Sequence, residues 1–158
     1  DDVDTLAEVQ TMVQQAALPA GTIDFLVSGT SPLHGGSALQ RALAQLRSLG
    51  VGYTLADVGA ATISLQRLAQ LSPDRLKIHR PFVRDVSADP QRMALARSVI
   101  ALAHTLRIVA IADGIACDSD AQFFRWEGCE LGQGDALAPA CAPGDVLGLL
   151  QQAAAGPR

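Results

Sequence analysis

Several residue types and patterns are scarce in this sequence, and each scarcity excludes a class of protein. Aromatic residues make up 4% of the chain, so Leu, Ala, Val and Ile must fill most of the interior. No run of Lys and Arg stands out and the formal net charge is −4, which argues against a nucleic-acid surface. No apolar run approaches the roughly 18 residues of a membrane-spanning helix, and no signal peptide is visible. We therefore expect a cytoplasmic globular protein with no nucleic-acid partner and no membrane-inserted segment.

Cysteine is also scarce, with Cys117, Cys129 and Cys141 as its three positions. An odd number without a CxxC pair does not indicate a disulfide framework, and no histidine lies near enough in the sequence to suggest a zinc site. We expect three reduced thiols, as is usual in the cytosol. The histidines are equally scattered, because His34 falls in a glycine-rich turn and His104 in a predicted helix.

What the sequence does contain is a regular alternation of short β-rich segments and longer segments with helical periodicity. The segments that predict strands are Thr22–Ser28, Gly52–Val58, Arg75–His79, Ile108–Asp113 and Leu131–Leu137. The segments that predict helices are Leu6–Ala17, Ser37–Leu49, Ile63–Leu71, Asp118–Glu127, Pro143–Ala154 and a long helix after Asp89. Asp89 is a good N-cap for that long helix, and Pro90 suits its first position. Its predicted buried stripe is Met93, Ala96, Ile100 and Ala103.

Five strands separated by helices predict βα units, and therefore an α/β fold with a parallel sheet. A complete eight-unit barrel needs about 250 residues, whereas this chain has 158. The pattern alone leaves two architectures open, an open five-stranded sheet and a partial (β/α) TIM-type barrel. No linker or low-complexity tract interrupts residues 1–158, so we predict a single domain. Because the first residue is Asp1, we expect the chain to be a piece of a larger product.

Four segments occur in an order and spacing that match a known bacterial family. Leu49–Val86 contains an LG turn, a strand ending in ADVG, a helix, the segment LKIH and an FV pair. Val99–Gly114 adds a helix and a strand ending in ADG, and GCE at 128–130 and QG at 133–134 follow. Together these segments resemble the EAL domain, the cyclic di-GMP phosphodiesterase fold.

The resemblance implies a (β/α) barrel with its site at the carboxyl ends of the strands. It covers nearly the whole chain, but it matches the later part of the family's barrel. The family's first strands, which carry the Glu-Ala-Leu motif and a metal-binding Asn, have no counterpart here. We therefore identify the chain as an N-terminally truncated and degenerate member of the family, with about five parallel strands.

Active members hydrolyse cyclic di-GMP with two Mg²⁺ or Mn²⁺ ions, which polarise the phosphate and generate a hydroxide nucleophile. Several of the family's site positions hold other residues in this sequence. Gly29 and Ala116 stand where the family has Glu, and Ala56 stands at the first position of its Asp-Asp pair. His79 replaces the Asp of the LKID segment, and Asp135 replaces a Tyr and adds negative charge near any bound nucleotide.

Four polar residues remain at matching positions, namely Asp57, Lys77, Asp113 and Gln133, with Asp113 in place of a Glu. The resemblance implies a vestigial, nucleotide-binding site in which Asp57 and Asp113 are residual metal ligands. Two isolated carboxylates are too few for two ions at about 3.5–4 Å separation, so we expect no catalytic residue, no metal and no cofactor. A purely structural explanation of the retained residues also stays open. Lys77 would pair with Asp57 or Asp113, because a buried unpaired ammonium is costly, and Asp57 would serve the turn at Gly59.

Three functional hypotheses follow. The first is a non-catalytic regulatory domain of cyclic di-GMP signalling that binds a protein partner or a second copy of itself through exposed sheet edges. The second is a cyclic di-GMP receptor that binds without hydrolysis. The third is an active phosphodiesterase completed by segments from elsewhere. A phosphorylation receiver domain is disfavoured, because the first strand ends in Val-Ser-Gly at 27–29 instead of paired acidic residues.

Overall fold

A five-stranded, wholly parallel sheet forms the centre of the protein in the computed structural model, which describes residues 2–17, 19–28, 37–59 and 64–154. The strands follow one another across the sheet in chain order, as short crossover connections favour. They are β1 (Asp24–Ser28), β2 (Gly52–Val58), β3 (Arg75–Ile78), β4 (Val109–Asp113) and β5 (Leu131–Gln133). Within the described ranges, β1 and β5 do not pair, so the sheet is not closed. The prediction of a partial (β/α) TIM-type barrel is therefore confirmed.

Helices flank the strands in the described part of the chain. They are α1 (Asp2–Ala16), α2 (Ser37–Ser48), α3 (Leu65–Leu71), α4 (Arg80–Val83), α5 (Pro90–Thr105), α6 (Asp118–Trp126) and α7 (Val146–Ala154). The short helix α4 was not predicted, because four residues cannot display a helical period. The start predicted for α3, Ile63, lies outside the described residues. No helix in the described ranges is long and apolar enough to cross a membrane.

The predicted ends of two strands were wrong. β3 ends at Ile78 and not at His79, because the chain turns directly into α4 with Pro81 in its first turn. β5 ends at Gln133, four residues before the predicted Leu137. The backbone folds back after Gln133, where the Leu137 amide donates to the Gly134 carbonyl. Local turn geometry of this kind leaves little trace in the hydrophobic pattern.

The two faces of the sheet differ, because side chains alternate along each strand. The outer face lies beneath the helices and is apolar, with Tyr53, Leu55, Leu76, Ile78, Ala110 and Ala112 buried. Three of the four residues in the predicted α5 stripe are buried as well, and Met93 is partly buried against the same core. The opposite face, called the inner face here, carries Leu26, Lys77, Ile111 and Asp113 and is partly open to solvent. Leu26 is 60% exposed.

A buried carboxylate fixes the segment between α4 and α5. Asp120, in the first turn of α6, is 0% exposed and accepts hydrogen bonds from the backbone amides of Asp85 and Ser87, each at 3.0 Å. The Ser87 hydroxyl donates to the same carboxylate at 2.9 Å. Burial raises the pKa of Asp120, but hydrogen bonds from Ser87, Cys117 and Asp85 outweigh this effect and leave the pKa below its usual value. The ionised form is therefore the one the fold stabilises.

We expect Asp120→Asn to lower the free energy of unfolding by about 2 kcal/mol near neutral pH, because it removes an acceptor from buried charged hydrogen bonds. The folded-state pKa is lowered, so the stabilisation is fully present above about pH 4 and is lost as the pH falls through the folded-state pKa. Urea unfolding at several pH values should therefore show a deficit of the variant that shrinks in acid. Asp118→Asn, an exposed change in the same turn, should be much milder. Equal losses in the two variants would contradict this account.

Candidate functional site at the carboxyl ends of the strands

The carboxyl ends of parallel strands meet along one edge of a sheet, which is where such folds place their functional residues. Asp57 lies near the end of β2, Lys77 near the end of β3, and Asp113 and Gln133 end β4 and β5. The structure therefore brings all four predicted site residues to the same edge. The carboxyl-end cluster is defined here as these four residues with Ser28 and His79.

A β-bulge in β2 determines where Asp57 lies. Leu55 pairs with Leu76 and Val58 with Ile78, so Ala56 and Asp57 together oppose the single residue Lys77. Asp57 has a φ of 59°, a left-handed conformation that Asp tolerates better than most residues. Bulges of this kind redirect side chains next to functional sites. This bulge was not predicted from the sequence.

The bulge brings Asp57 into contact with the strands on both sides. The Ser28 hydroxyl of β1 donates to one Asp57 oxygen at 2.9 Å. The other oxygen lies 3.4 Å from Nδ1 of His79, just after β3. The His79 amide also donates to the Val58 carbonyl at 3.1 Å. Asp57 thus connects the ends of three neighbouring strands.

Lys77 and Asp113 form an ion pair on the inner face. The Lys77 Nζ lies 3.1 Å from an Asp113 oxygen, and the two side chains are 15% and 29% exposed. The strand register places Lys77 opposite Ile111, so Asp113, two residues further along β4, points to the same side. Of the two partners considered for Lys77, the structure selects Asp113. A structural ion pair of Lys77 with a nearby carboxylate had been left open by the sequence, and the structure contains this pair.

Gln133 is held by its backbone. Its carbonyl accepts hydrogen bonds from the amides of Gly114 and Ile115 at 2.7 and 3.0 Å, while the residue as a whole is exposed. The next residue, Gly134, has a φ of 153°, and a Cβ there would overlap the backbone of Ile115. The contacts with Gly114 and Ile115 therefore explain why Gln133 and Gly134 suit this position, independently of any ligand. Asp135 is exposed beyond it.

Two further residues near this edge, Ser28 and Arg80, were not predicted as site residues. Ser28 was not singled out, although it donates to Asp57. Arg80, the first residue of α4, crosses over Gly114 so closely that a Cβ on Gly114 would collide with its side chain. Gly114, which follows Asp113, is the sequence feature that indicates the close contact with Arg80. Arg80 adds a cation to the edge that holds Lys77.

The side chains described at this edge do not fit a pair of divalent ions. Asp57 and Asp113 lie on β2 and β4, two strand spacings or about 9–10 Å apart across β3, and each already has a protein partner. Ala56 and Ala116 offer methyl groups, and Gly29 lies outside the described residues. Within the described ranges, no three His, Cys, Asp or Glu side chains are grouped to hold a metal. Hard divalent cations need several oxygen ligands each.

An open parallel sheet with helices on its outer face and polar residues at the strand ends belongs to the class of partial (β/α) barrels. Within that class, the chain belongs to the EAL domain family, because the family's sequence profile matches residues 1–140. This match confirms the resemblance seen in the motifs.

Known relatives show the same relationship. The chain is 32% identical over 127 residues to the cyclic di-GMP phosphodiesterase NbdA of Pseudomonas aeruginosa, covering 80% of this chain and 16% of that protein. It is 29% identical over 130 residues to the phosphodiesterase RocR of the same organism, covering 82% of this chain and 33% of that protein. The EAL domain of Mycobacterium smegmatis DcpA superposes with a TM-score of 0.86 at 25% identity, over 93% of this chain and 66% of that one. This chain thus spans a third or less of these two curated relatives.

We expect Lys77 and Asp113 to be energetically coupled. Asp113→Asn should lower the free energy of unfolding by about 2 kcal/mol, because it leaves a mostly buried ammonium without its partner. Adding Lys77→Met should recover much of that loss, and the double-mutant cycle measures the coupling. The same cycle on Arg97 and Glu127, an ion pair with Arg97 53% exposed, serves as a control and should give less than about 1 kcal/mol. Additive losses at Lys77 and Asp113 would contradict the expectation.

Proposed function

We propose that this chain is a non-catalytic regulatory domain of cyclic di-GMP signalling that acts in the cytoplasm by binding protein partners. One observation carries the proposal. Both retained carboxylates of the carboxyl-end cluster are already bonded to protein groups, Asp57 to Ser28 and His79, and Asp113 to Lys77. Carboxylates in such contacts serve the fold in place of a metal.

The loss of metal ligands supports the absence of catalysis. Two-metal phosphodiester hydrolysis requires ions about 3.5–4 Å apart, bridged by shared oxygens. Residues of a catalytic unit act together, so removing several of them costs about as much as removing all. Segments contributed by another part of a longer protein would not change this, because Gly29, Ala56 and Ala116 still carry no carboxylate.

Exposed apolar groups support the partner-binding part of the proposal. The outer edges of β1 and β5 are unpaired in the described structure, and unpaired edges favour strand addition by another chain. Leu26 on β1 and Leu131 on β5 are 60% and 45% exposed. In α7, Leu147 and Leu150 are more than half exposed, at 65% and 61%. Exposed apolar side chains on unpaired edge strands are typical of an interaction surface.

A receptor that binds cyclic di-GMP without hydrolysis is the second candidate. Lys77 and Gln133 are retained at the carboxyl-end edge, where the site of the family lies. Against this candidate, Lys77 is already neutralised by Asp113 and Asp135 adds a negative charge beside Gln133. Calorimetric binding of cyclic di-GMP that Lys77→Ala weakens would favour the receptor over the partner-binding domain.

We expect the open edge at β1 to mediate self-association or partner binding. Leu26→Glu places a charge on this edge without touching the core, so it should shift the protein toward monomer in light scattering. It should also lower hydrogen-exchange protection at the β1 amides that face away from β2. Leu95→Glu on α5 is the matched control, because Leu95 is 43% exposed and lies away from the edge. A wild-type protein that is monomeric at all concentrations, with no protected edge, would contradict the proposal.

A further inference from the structure

A second concave region lies at the opposite, amino-terminal edge of the sheet. It is a cleft of about 390 Å³ beside the loops that lead into β3 and β4, a volume within the range of small-molecule sites. Its lining includes Arg47, Leu68, Ser72, Leu106, Arg107 and Ile108. These residues lie at the amino-terminal side of the strands, whereas the carboxyl-end cluster lies at their carboxyl ends. The cleft is therefore separate from the candidate site of the family.

The base of the cleft is apolar. Leu68 and Ile108 are 0% and 6% exposed and belong to the hydrophobic core. Leu106 is 37% exposed, so it still presents apolar surface to solvent. An apolar group placed against Leu106 would be removed from water together with it, which favours binding.

Arg47 is held in place at one side of the cleft. Its Nη2 donates to the Ser72 carbonyl and lies 3.4 Å from one Asp74 oxygen. Its guanidinium carbon lies 5.0 Å from the centre of the Tyr53 ring. These contacts use one terminal nitrogen. In the described part of the chain, the N–H groups on Nε and Nη1 have no hydrogen-bond acceptor, so an oriented arginine retains donors for a ligand.

Arg107 supplies a second cation, and the balance of charge in the cleft is positive. Both oxygens of Asp74 are engaged, one facing Arg47 and the other accepting from the Tyr53 amide at 3.0 Å. Arg107 is exposed and has no ion-pair partner among the residues that the structure describes. The cleft thus combines two guanidinium groups with one carboxylate, on a chain whose net charge is −4.

Two residues of the cleft have a left-handed backbone conformation. Ser72 and Arg107 have φ angles of 47° and 58°, a left-handed region that favours glycine or asparagine. They lie in the loops before β3 and β4, and both line the same cleft. Each follows the last turn of a helix, α3 or α5, where a left-handed residue commonly ends the helix. At position 107 the residue is arginine, although glycine would fit this backbone conformation better.

We propose that this cleft binds a small organic anion. Arg107 and the free N–H groups of Arg47 hold its carboxylate or phosphate group, and its apolar body covers Leu106. Arginine suits this task because its planar fork matches both anionic groups. The proposal does not depend on the function proposed for the carboxyl-end cluster.

The test titrates the 158-residue chain with phenyl phosphate, and separately with benzyl alcohol as a neutral probe with the same ring, while backbone amide shifts are followed by NMR. Phenyl phosphate should produce saturable shifts at residues 72–74 and 106–108. Benzyl alcohol should bind at least about tenfold more weakly, because it lacks the anionic group. The absence of saturable shifts, or equal binding of both probes, would overturn the proposal. So would shifts centred on the carboxyl-end cluster.

Two variants locate the binding determinant. Arg107→Gly removes the cation and suits the positive φ, so it should keep the fold. Its affinity for phenyl phosphate should fall at least about tenfold. Arg125→Ala removes one equal charge from the exposed surface of α6 and should leave the affinity unchanged. Wild-type affinity in Arg107→Gly, or equal losses in the two variants, would overturn the assignment of the cleft.

Discussion

The parallel pairing of five consecutive strands is the constraint on which the rest of the structure depends. Because every strand runs the same way, all carboxyl ends meet at one edge and all amino ends at the other. Polar residues at the carboxyl ends of β2, β3, β4 and β5 therefore form one cluster, although they are far apart in the sequence. The same pairing gathers the loops before β3 and β4 around the cleft at the amino-terminal edge.

Ion pairs and hydrogen bonds on the inner face connect the fold to the proposed function. Arg75 of β3 lies 2.8 Å from Asp24 of β1, near the amino ends of the strands, and Lys77 pairs with Asp113 near the carboxyl ends. The first pair links β1 with β3 across β2, and the second links the neighbouring strands β3 and β4. On our proposal, a carboxylate that once belonged to a metal site has become a structural group. On the same proposal, the exposed apolar residues on the edge strands form the surface that binds partners.

The sequence allowed much of the fold to be predicted, because burial and capping are local signals. The strand positions, the α5 stripe and the N-cap at Asp89, whose side chain accepts from two backbone amides, all followed from periodicity and residue type. The bulge at Asp57 and the buried Asp120 could not be predicted in this way. Both depend on residues distant in the sequence, such as Ser28 for Asp57 and Ser87 for Asp120. The choice of Asp113 over Asp57 for Lys77 likewise depends on the strand register.

The central claim is that this chain does not hydrolyse cyclic di-GMP. Its most direct test incubates the purified chain with cyclic di-GMP and Mn²⁺ or Mg²⁺ and follows the linear dinucleotide by chromatography, with RocR as a positive control. If the gene encodes a longer product, that product is assayed in parallel. Our account predicts no metal-dependent product from either polypeptide. Metal-dependent formation of the linear dinucleotide, abolished by Asp57→Asn, would contradict it.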